Sequence, residues 1–337
     1  MLERRTVTFC KPGLVVVRAD KAPAPAAGQM LVETIVSAIS AGTEMLFYRG
    51  QAPRGIPVDS HLPALSEEVH YPLAYGYMAV GRITELGANV PAEWLGRVVF
   101  CFEPHTSHFL TTPETVMPVP PGISPEIACL LPNVETALNL VHDGAPLMGE
   151  NVLVFGQGLV GLLTASLLSQ FPLSRLVTVD RFPLRRQTSL SLGVTACLDP
   201  ASLDLADSLH SLMPAGADLT YELSGAPATL NDAIAFTRFN GRVVIGSWYG
   251  EKTAPITLGG SFHRSRIRLL SSQVSTIAPE LSGRWDKSRR FEVAWQALCH
   301  LVTESWITHR FPVERAAEAY QLLDQSPQDA ILVLLEY

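Results

Sequence analysis

Residues 151–180 read NVLVFGQGLVGLLTASLLSQFPLSRLVTVD, and this stretch decides the predicted fold. The apolar residues 152–155 predict a buried strand, and an apolar helical segment then runs to about residue 170. Residues 176–179 predict a second buried strand, which ends on Asp180, nineteen residues after Gly161. A G-x-G-x-x-G motif therefore lies where dinucleotide binding requires it, after a strand and at the start of a helix.

The positions of the motif have separate physical roles. Gly156 permits a tight turn, Gly158 lets the backbone approach a pyrophosphate, and Gly161 allows close packing of helix on strand. The N–H groups and the dipole at the helix N-terminus favour the phosphates. The alternative is a tight turn in an unrelated βαβ unit. The predicted cofactor-binding loop comprises Gly156, Gln157, Gly158, Leu159, Val160 and Gly161.

Asp180 predicts which dinucleotide is preferred. A carboxylate at this position accepts hydrogen bonds from the hydroxyls of the adenosine ribose and repels a 2′-phosphate, so NAD is favoured over NADP. Arg181, Arg185 and Arg186 follow directly in the chain. An arginine in this position can hold a 2′-phosphate, so NADP stays open as the alternative, and Arg181 is included in the predicted cofactor site.

The composition is that of a globular protein. The 337 residues suit two domains, with 47% hydrophobic and 17% charged residues. A net charge of −7, without a basic stripe, argues against a nucleic-acid partner. We find no leader segment and no apolar run near the roughly 18 residues of a membrane span, so we expect a cytoplasmic protein without a membrane partner. The five dispersed cysteines predict thiols in a reducing compartment rather than disulfides or a structural zinc lobe.

The predicted elements divide the chain into three segments. Short strands separated by glycine and proline up to about residue 118 predict a small, partly open barrel. Residues 51–72, with four prolines, His61 and His70, predict a long functional loop. Six strands alternating with helices predict a doubly wound parallel sheet, at about 152–155, 176–179, 194–198, 217–223, 242–246 and 267–272. The predicted segments are a substrate domain at 1–120, a dinucleotide domain at 121–272 and a C-terminal return at 273–337.

Two segments carry a resemblance to a known superfamily. Residues 40–50, SAGTEMLFYRG, look like the C-G-T-D-x-H segment and following Y-R-G of the medium-chain dehydrogenase/reductase superfamily. Residues 72–81, PLAYGYMAVG, look like its P-x-x-x-G-H-E-x-x-G segment. The resemblance covers nearly the whole chain and implies an α/β protein, in which a GroES-like, partly open β-barrel domain accompanies a doubly wound parallel (Rossmann) sheet.

The chain departs from the superfamily at the zinc ligands. Ala41 stands at the position of the cysteine ligand, Tyr77 at that of the histidine and Met78 at that of the glutamate. Leu46 replaces the proton-relay histidine. Because alanine and methionine cannot replace a thiolate and a carboxylate, we expect no catalytic zinc. Gly-Thr-Glu with Gly-Tyr resembles a zinc-free branch containing 3-hydroxyethyl bacteriochlorophyllide dehydrogenase, although Met78 differs from the Gly-Tyr-Glu of that branch.

Without zinc, side chains must handle the proton and stabilise the alkoxide. The resemblance places Thr43 beside the substrate hydroxyl as a proton relay and offers the Tyr77 phenol as donor or acid/base. The alternative is that Tyr77 only fills the volume left by the metal. His105 is the third candidate catalytic residue, with an ordinary hydrogen-bonded histidine as the alternative. His105 and His108 lack a further ligand nearby, so we predict no metal site there. Glu44 is either an acceptor that orients the site or a solvated loop carboxylate.

On the cofactor side, the resemblance adds residues at the ends of later strands. Ser224 and Gly225 follow one predicted strand and Gly246 follows the next, at the carboxyl ends where doubly wound sheets bind ligands. Two sheet-edge segments, 242–246 and 267–272, predict a homodimer or homotetramer.

These observations lead to one hypothesis and two alternatives. The hypothesis is a zinc-independent, NAD(P)(H)-dependent oxidoreductase of EC class 1.1.1, which interconverts a small-molecule secondary alcohol and its ketone by hydride transfer in an interdomain cleft. The first alternative is a quinone-oxidoreductase-like enzyme that reduces a conjugated double bond. The second is a catalytically inactive, nucleotide-binding regulatory protein that has lost its zinc.

Overall fold

The computed structural model describes residues 2–53, 70–301 and 304–337. Its contacts divide the chain into two compact units. The first unit combines Met1–Pro132 with Leu298–Tyr337, and the second is Asn133–Ala297. Most of the predicted loop over residues 51–72, including His61, lies outside the described residues, and His70 is exposed.

The first unit consists mainly of antiparallel sheets. A small sheet has the order β2-β1-β4, and a larger one has the order β15-β16-β3-β5-β6-β8, with β7 also paired to β3. Only the β15–β16 pair among these is parallel. The strands are β1 (Glu3–Lys11), β2 (Leu14–Lys21), β3 (Met30–Ala38), β4 (Leu73–Ala74), β5 (Ala79–Leu86), β6 (Val98–Cys101), β7 (His108–Thr111), β8 (Met117–Pro118), β15 (Ile307–Pro312) and β16 (Leu332–Glu336).

The helices of this unit close one of its cores. Aromatic side chains from different elements meet there, among them Phe9, Phe47 and Tyr320, all fully buried. Ser124 caps a helix as its sequence predicts, because its hydroxyl accepts a hydrogen bond from the backbone of Ile127 and proline follows at the first helical position. The helices are α1 (Glu44–Tyr48), α2 (Pro125–Ala128) and α9 (Ala316–Gln325), with short helical turns at Ala92–Trp94, Pro113–Thr115, Glu304–Trp306, Val313–Arg315 and Pro327–Asp329.

The second unit is built on a six-stranded parallel sheet in the order β11-β10-β9-β12-β13-β14. The central strand β9 is apolar from Val152 to Phe155 because both faces are covered: Leu153 and Phe155 face one core, and Val152 and Val154 face the other. The strands are β9 (Asn151–Phe155), β10 (Arg175–Val179), β11 (Ala196–Leu198), β12 (Ala217–Glu222), β13 (Thr237–Ile245) and β14 (Arg268–Ser271). The helices are α3 (Leu131–Gly144), α4 (Leu159–Leu168), α5 (Pro183–Leu190), α6 (Leu205–Leu212), α7 (Thr229–Phe236) and α8 (Lys287–Leu301), with a helical turn at Leu258–Phe262.

The strand order of this sheet reverses next to β9. From β9 the chain runs outward through β10 to β11, and then returns to β12 on the other side of β9. Ligands of doubly wound sheets bind at the carboxyl ends of the strands where the order reverses. The glycine motif follows β9 at this point. The predicted fold class, a doubly wound parallel sheet with a separate antiparallel domain, is confirmed.

Two further properties of the chain concern its environment. In residues 2–53, 70–301 and 304–337, no helix has both the length and the apolar character needed to cross a membrane. The five cysteines form no disulfide, and Cys101 and Cys129 are buried.

Candidate functional site

The glycine loop joins β9 to α4 through very close backbone contacts. A Cβ atom on Gly156, whose φ is +90°, would lie 2.5 Å from the carbonyl oxygen of Leu223. A Cβ on Gly161 would lie 2.0 Å from the carbonyl oxygen of Gly156. Glycine is thus required at both positions. A Cβ on Gly158 would meet nothing closer than Nη1 of Arg185 at 3.7 Å. Internal packing does not require a glycine at Gly158, which is compatible with the predicted approach of a pyrophosphate.

Asp180 holds the base of this loop. One carboxylate oxygen accepts a hydrogen bond from the backbone N–H of Gln157 at 2.7 Å, and the other accepts from that of Phe182 at 2.8 Å. The buried Gln157 side chain donates to the carbonyl oxygen of Gly156 and accepts from the Ser189 hydroxyl at 2.9 Å. Each carboxylate oxygen of Asp180 retains capacity for a second hydrogen bond, such as one from a ribose hydroxyl.

Three arginines surround Asp180. The guanidinium groups of Arg181 and Arg185 lie over the Phe182 ring, 4.5 and 4.8 Å from its centroid. Arg186 instead donates to the carbonyl oxygen of Asp180 and forms an ion pair with Asp199, both at 2.9 Å. Burial lowers the pKa of Arg185, while the charge of Asp180 acts in the opposite direction. A carboxylate and two guanidinium groups therefore lie close together after β10, and their roles in cofactor choice stay a prediction.

The remaining predicted cofactor residues follow β12 and β13. Glu222, the last residue of β12, is fully buried and accepts hydrogen bonds from the backbone N–H of Ser224 at 2.9 Å and the Tyr249 hydroxyl at 2.5 Å. The backbone N–H of Gly225 donates to the Ser247 hydroxyl at 2.9 Å. Ser224 and Gly225 thus lie at the same end of the sheet as the glycine loop. A Cβ on Gly246, after β13, would lie 2.5 Å from a leucine side chain of α3.

In the first unit, Tyr77 meets the residues before and at the start of α1. Its hydroxyl donates to Oγ of Ser40 at 2.5 Å. Burial raises the pKa of Tyr77, and hydrogen bonds with Ser40 and Thr43 partly offset this shift. The neighbouring carboxylate of Glu44 raises the pKa of Tyr77 further. The structure therefore brings Thr43 and Tyr77 together and keeps the phenol protonated at neutral pH.

The positions that match the zinc-ligand motif offer no zinc-binding donor set. Ala41 has no donor atom, and the phenol of Tyr77 is engaged with Ser40. Met78 and Leu46 are buried apolar side chains. In the part of the chain that the structure describes, no group of three or more His, Cys, Asp and Glu side chains could hold a metal ion. The residues at this position therefore do not fit the zinc of the superfamily.

His105 and Glu44 form a fully buried pair next to Tyr77. Nε2 of His105 lies 3.0 Å from Oε2 of Glu44, and Nδ1 lies 2.7 Å from Oγ of Ser37. Glu44 also accepts a hydrogen bond from the Tyr320 hydroxyl at 2.5 Å. The interpretation of Glu44 as a solvated loop carboxylate is therefore wrong, because α1 turns its side chain into the core. His108 does not join this pair, and its Nδ1 lies 2.9 Å from the hydroxyl of Ser107.

The sequence interpretation missed several residues of this cluster. Ser37 is fully buried, and its only signal is a small polar residue on the inward face of the apolar strand β3. Tyr320 and Tyr337 reach the cluster from 276 and 300 residues away in the chain, and no local pattern identifies them. Ser40 is the first residue of the segment 40–50, whose pattern does not indicate that its hydroxyl accepts a hydrogen bond from Tyr77.

Comparisons with known proteins agree with this architecture. The family profile described as Zinc-binding dehydrogenase matches residues 160–289. D-guloside 3-dehydrogenase of Escherichia coli K12 is 24% identical over 263 residues, which are 76% of this chain and 75% of the relative. The 2-desacetyl-2-hydroxyethyl bacteriochlorophyllide A dehydrogenase of Cereibacter sphaeroides is 26% identical over 332 residues, 93% of this chain and 92% of the relative.

Solved structures show the same fold. The 2R,3R-butanediol dehydrogenase of Bacillus subtilis superposes with a TM-score of 0.80 at 18% identity, covering 99% of both chains. A short chain alcohol dehydrogenase of E. coli CFT073, complexed with NADH, superposes with a TM-score of 0.79 at 17% identity, also covering 99% of both chains.

The two-unit fold and its glycine loop define a dinucleotide-binding dehydrogenase architecture. The chain is similar over most of its length to dehydrogenases of the medium-chain dehydrogenase/reductase superfamily, and these relatives support an alcohol-dehydrogenase-like oxidoreductase. The predicted resemblance, including that to a bacteriochlorophyllide dehydrogenase, is confirmed.

Proposed function

We propose that the protein is a zinc-independent, NAD(P)(H)-dependent dehydrogenase that interconverts a secondary alcohol and its ketone. One observation carries this proposal: the Tyr77 phenol, bonded to Ser40 and adjoining Thr43, occupies the position of a zinc ligand in the superfamily motif. In this proposal, the hydrogen-bonded hydroxyl groups take over the role that a Lewis acid has in zinc-dependent enzymes.

The cofactor is held by the second unit. The N-terminus of α4 and the backbone at Gly158 receive the pyrophosphate, and Asp180 receives the hydroxyls of the adenosine ribose. Asp180 favours NAD, while Arg181 and Arg185 supply the charge with which NADP would be accepted. The nicotinamide ring supplies or accepts the hydride when it is bound. The NADH in the related E. coli structure supports this assignment.

The proton is handled by hydroxyl groups of the first unit. Because burial raises the pKa of Tyr77, the phenol is a donor at neutral pH. In the direction of ketone reduction, the single O–H of Tyr77 turns from Ser40 to the carbonyl oxygen, and its proton passes to that oxygen as the alcohol forms. The Thr43 hydroxyl then relays a proton from solvent back to the Tyr77 oxygen. In the direction of alcohol oxidation the same transfers run in reverse: the Tyr77 oxygen accepts the proton of the substrate hydroxyl, and the short side chain of Thr43 passes the released proton on to solvent.

The substrate class follows from the proton donor and from the relatives. A phenol placed on an oxygen suits a carbonyl–alcohol pair better than the carbon of a conjugated double bond. The relatives are named for guloside, butanediol and hydroxyethyl bacteriochlorophyllide, which are hydroxyl-bearing compounds of very different size. The names support hydroxyl oxidation but leave the size of the substrate open.

The test begins with protein from which metals have been removed by chelation. Fluorescence titration with NADH and with NADPH should show saturable binding of NADH and weaker binding of NADPH. Secondary alcohols are then screened, with product analysis to separate ketone formation from alkene chemistry. Activity that disappears on chelation and returns with Zn²⁺ would overturn zinc independence, and binding of neither nucleotide would overturn the cofactor assignment.

The role of Tyr77 is tested by removing its hydroxyl. We expect Tyr77→Phe to lower kcat about 100-fold, because the developing alkoxide loses its donor, with the Kd for NADH unchanged. Tyr48→Phe is the matched control: the same atom is removed from a buried tyrosine of this unit that stacks on Tyr320. It should change kcat less than about twofold. Equal rates in the two variants would reject Tyr77 as the proton donor.

A further inference from the structure

We infer that Glu44 and His105 act together as positioning residues that hold Tyr77 in its reactive orientation. This inference rests on the proton-donating role proposed above for Tyr77. It assigns a role to the buried acid–histidine pair, although neither member is placed to contact a substrate.

His105 is committed to internal contacts on both sides of its ring. Nε2 lies 3.0 Å from the Glu44 carboxylate and Nδ1 lies 2.7 Å from the Ser37 hydroxyl. Both His105 and Glu44 have no exposed surface. An imidazole whose two nitrogens are engaged in the core acts through its neighbours rather than by exchanging a proton with a bound molecule. His105 is thus a positioning residue and not the acid or base that contacts the substrate.

Glu44 fixes the hydroxyl end of Tyr77. Its Oε1 accepts a hydrogen bond from the backbone N–H of Ser40 at 2.7 Å. Oγ of Ser40 is the acceptor for the Tyr77 hydroxyl. The carboxylate therefore anchors the backbone of the residue that receives the phenol. The Tyr320 hydroxyl bonded to Oε2 holds Glu44 in turn.

His105 fixes the backbone end of Tyr77. Gly76, directly before Tyr77, has a φ of +133°, and a Cβ there would lie 2.8 Å from Cδ2 and 3.0 Å from Nε2 of His105. The backbone N–H of His105 also donates to the carbonyl oxygen of Tyr75 at 3.2 Å. The imidazole thus packs directly against the segment that carries Tyr77. One buried pair restrains the tyrosine at both ends.

A fully buried carboxylate and imidazole are expensive unless every polar atom is satisfied. This cluster meets that condition through Ser37, Ser40 and Tyr320, and the hydroxyl of Ser37 continues to that of Tyr337 at 2.9 Å. The charge of Glu44 also adds to the effect of burial in raising the pKa of Tyr77. A pair that restrains the phenol thereby also favours its protonated form.

A double-mutant cycle tests the coupling between the pair and Tyr77. We expect His105→Phe to lower kcat about tenfold to a hundredfold with an unchanged Kd for NADH, because displacement of the phenol affects the reaction and not the nucleotide. His105→Gln, whose amide can still donate to Glu44, should recover part of the loss. In a Tyr77→Phe background, His105→Phe should have little further effect. The control is His108→Gln, which should leave kcat unchanged.

A second measurement needs neither turnover nor cofactor. The ionisation of Tyr77 is isolated as the ultraviolet difference spectrum between the protein and its Tyr77→Phe variant during a pH titration. Glu44→Gln keeps the volume of the side chain and should lower the pKa of Tyr77. Circular dichroism verifies that each variant is folded.

The outcomes separate this inference from the proposed function. Additive losses for His105→Phe and Tyr77→Phe, or an unchanged Tyr77 titration in Glu44→Gln, would overturn the positioning role. A wild-type protein without dehydrogenase activity would overturn the proposed function. The ultraviolet titration would still decide in that case whether Glu44 controls the phenol.

Discussion

Each of the two units buries a carboxylate next to a basic side chain, but the basic partners differ in kind. In the first unit, Glu44 meets the imidazole of His105. In the second, Glu135 forms ion pairs with the guanidinium of Arg290 at 2.9 Å and the ammonium of Lys287 at 2.5 Å. An imidazole can both donate and accept a hydrogen bond through its two ring nitrogens, whereas a guanidinium only donates.

The two carboxylates also differ in what surrounds them. Arg290 donates to Asn139 and to the backbone carbonyl oxygens of Val274 and Thr276. It therefore joins helices α3 and α8 to the segment after β14 with permanent, charge-assisted bonds. The partners of Glu44 are hydroxyls, a backbone N–H and an imidazole, and they lead to Tyr77. We interpret the cluster of Arg290 as scaffold and the cluster of Glu44 as part of the site.

The largest effect is expected when the permanent partner of Glu135 is removed. Arg290→Met should lower the free energy of unfolding by about 3–5 kcal/mol, because the buried Glu135 carboxylate loses its buried cationic partner and the carbonyl of Thr276 loses its donor, while Lys287 still reaches Glu135 and the carbonyl of Val274. Urea denaturation monitored by circular dichroism measures this loss. Lys287→Met is the control: its side chain is 41% exposed, and its loss should cost less than about 1 kcal/mol.

This prediction sharpens the contrast between scaffold and site. Arg290→Met should leave the ultraviolet titration of Tyr77 unchanged, because the Arg290 cluster has no hydrogen bond to that phenol. A shift in the titration would contradict the separation of the two roles. A stability loss equal to that of Lys287→Met would show that Arg290 is not the main partner of Glu135.

Glu44 and Glu135 both have basic partners, whereas Glu103 of the first unit does not. Its carboxyl group is partly buried and has no ion-pair partner among the described residues. Burial raises the pKa of Glu103 from 4.5 to about 7. Below pH 4.5 it is protonated in both the folded and the unfolded protein, and no charge has to be buried. Between pH 4.5 and 7 only the unfolded chain ionises, so the stability falls as the pH rises.

The variant Glu103→Gln should remove this pH dependence. Above pH 7 it should be more stable than the parent by about 2 kcal/mol, less than a fully buried carboxyl would give because Glu103 is partly exposed. Below pH 4.5 the two proteins should be equally stable. Urea denaturation at a series of pH values measures the difference, in which contributions of other groups cancel. A difference independent of pH would show that the carboxyl is solvated in the folded protein.

The comparison of the units also shows what a sequence can predict. The cofactor loop was predicted residue by residue, because a strand, three glycines and an acid follow one another within 30 residues. Thr43 and Tyr77 were predicted from a motif, but the burial of Glu44 was not predicted. The Tyr320 hydroxyl, which binds the buried Glu44 carboxylate, lies 276 residues away in the chain, so no local pattern links the two. The early start of β13 was missed as well. The first residues of β13 contain Asn240, which has a φ of +59° and gives this part of the sequence the pattern of a turn. Thr237 nevertheless pairs with Ala217, so the strand begins before Asn240.

The smallest expected effect tests whether an uncharged polar group also destabilises the protein when it is buried without a hydrogen-bond partner. The hydroxyl of Tyr221, on β12, is buried and has no hydrogen-bond partner among the described residues. It occupies space that exists because residue 144 is glycine, where a Cβ would lie 2.0 Å from the hydroxyl oxygen. Tyr221→Phe should therefore leave the unfolding free energy unchanged or raise it by up to about 1 kcal/mol, since an unsatisfied polar group leaves the core.

Tyr320→Phe removes a hydroxyl that is bonded to Glu44 and should cost about 1–3 kcal/mol in the same assay. If both variants lost equal stability, the pairing of buried polar groups would not explain the difference between them, and Tyr221 would have a partner such as a bound water.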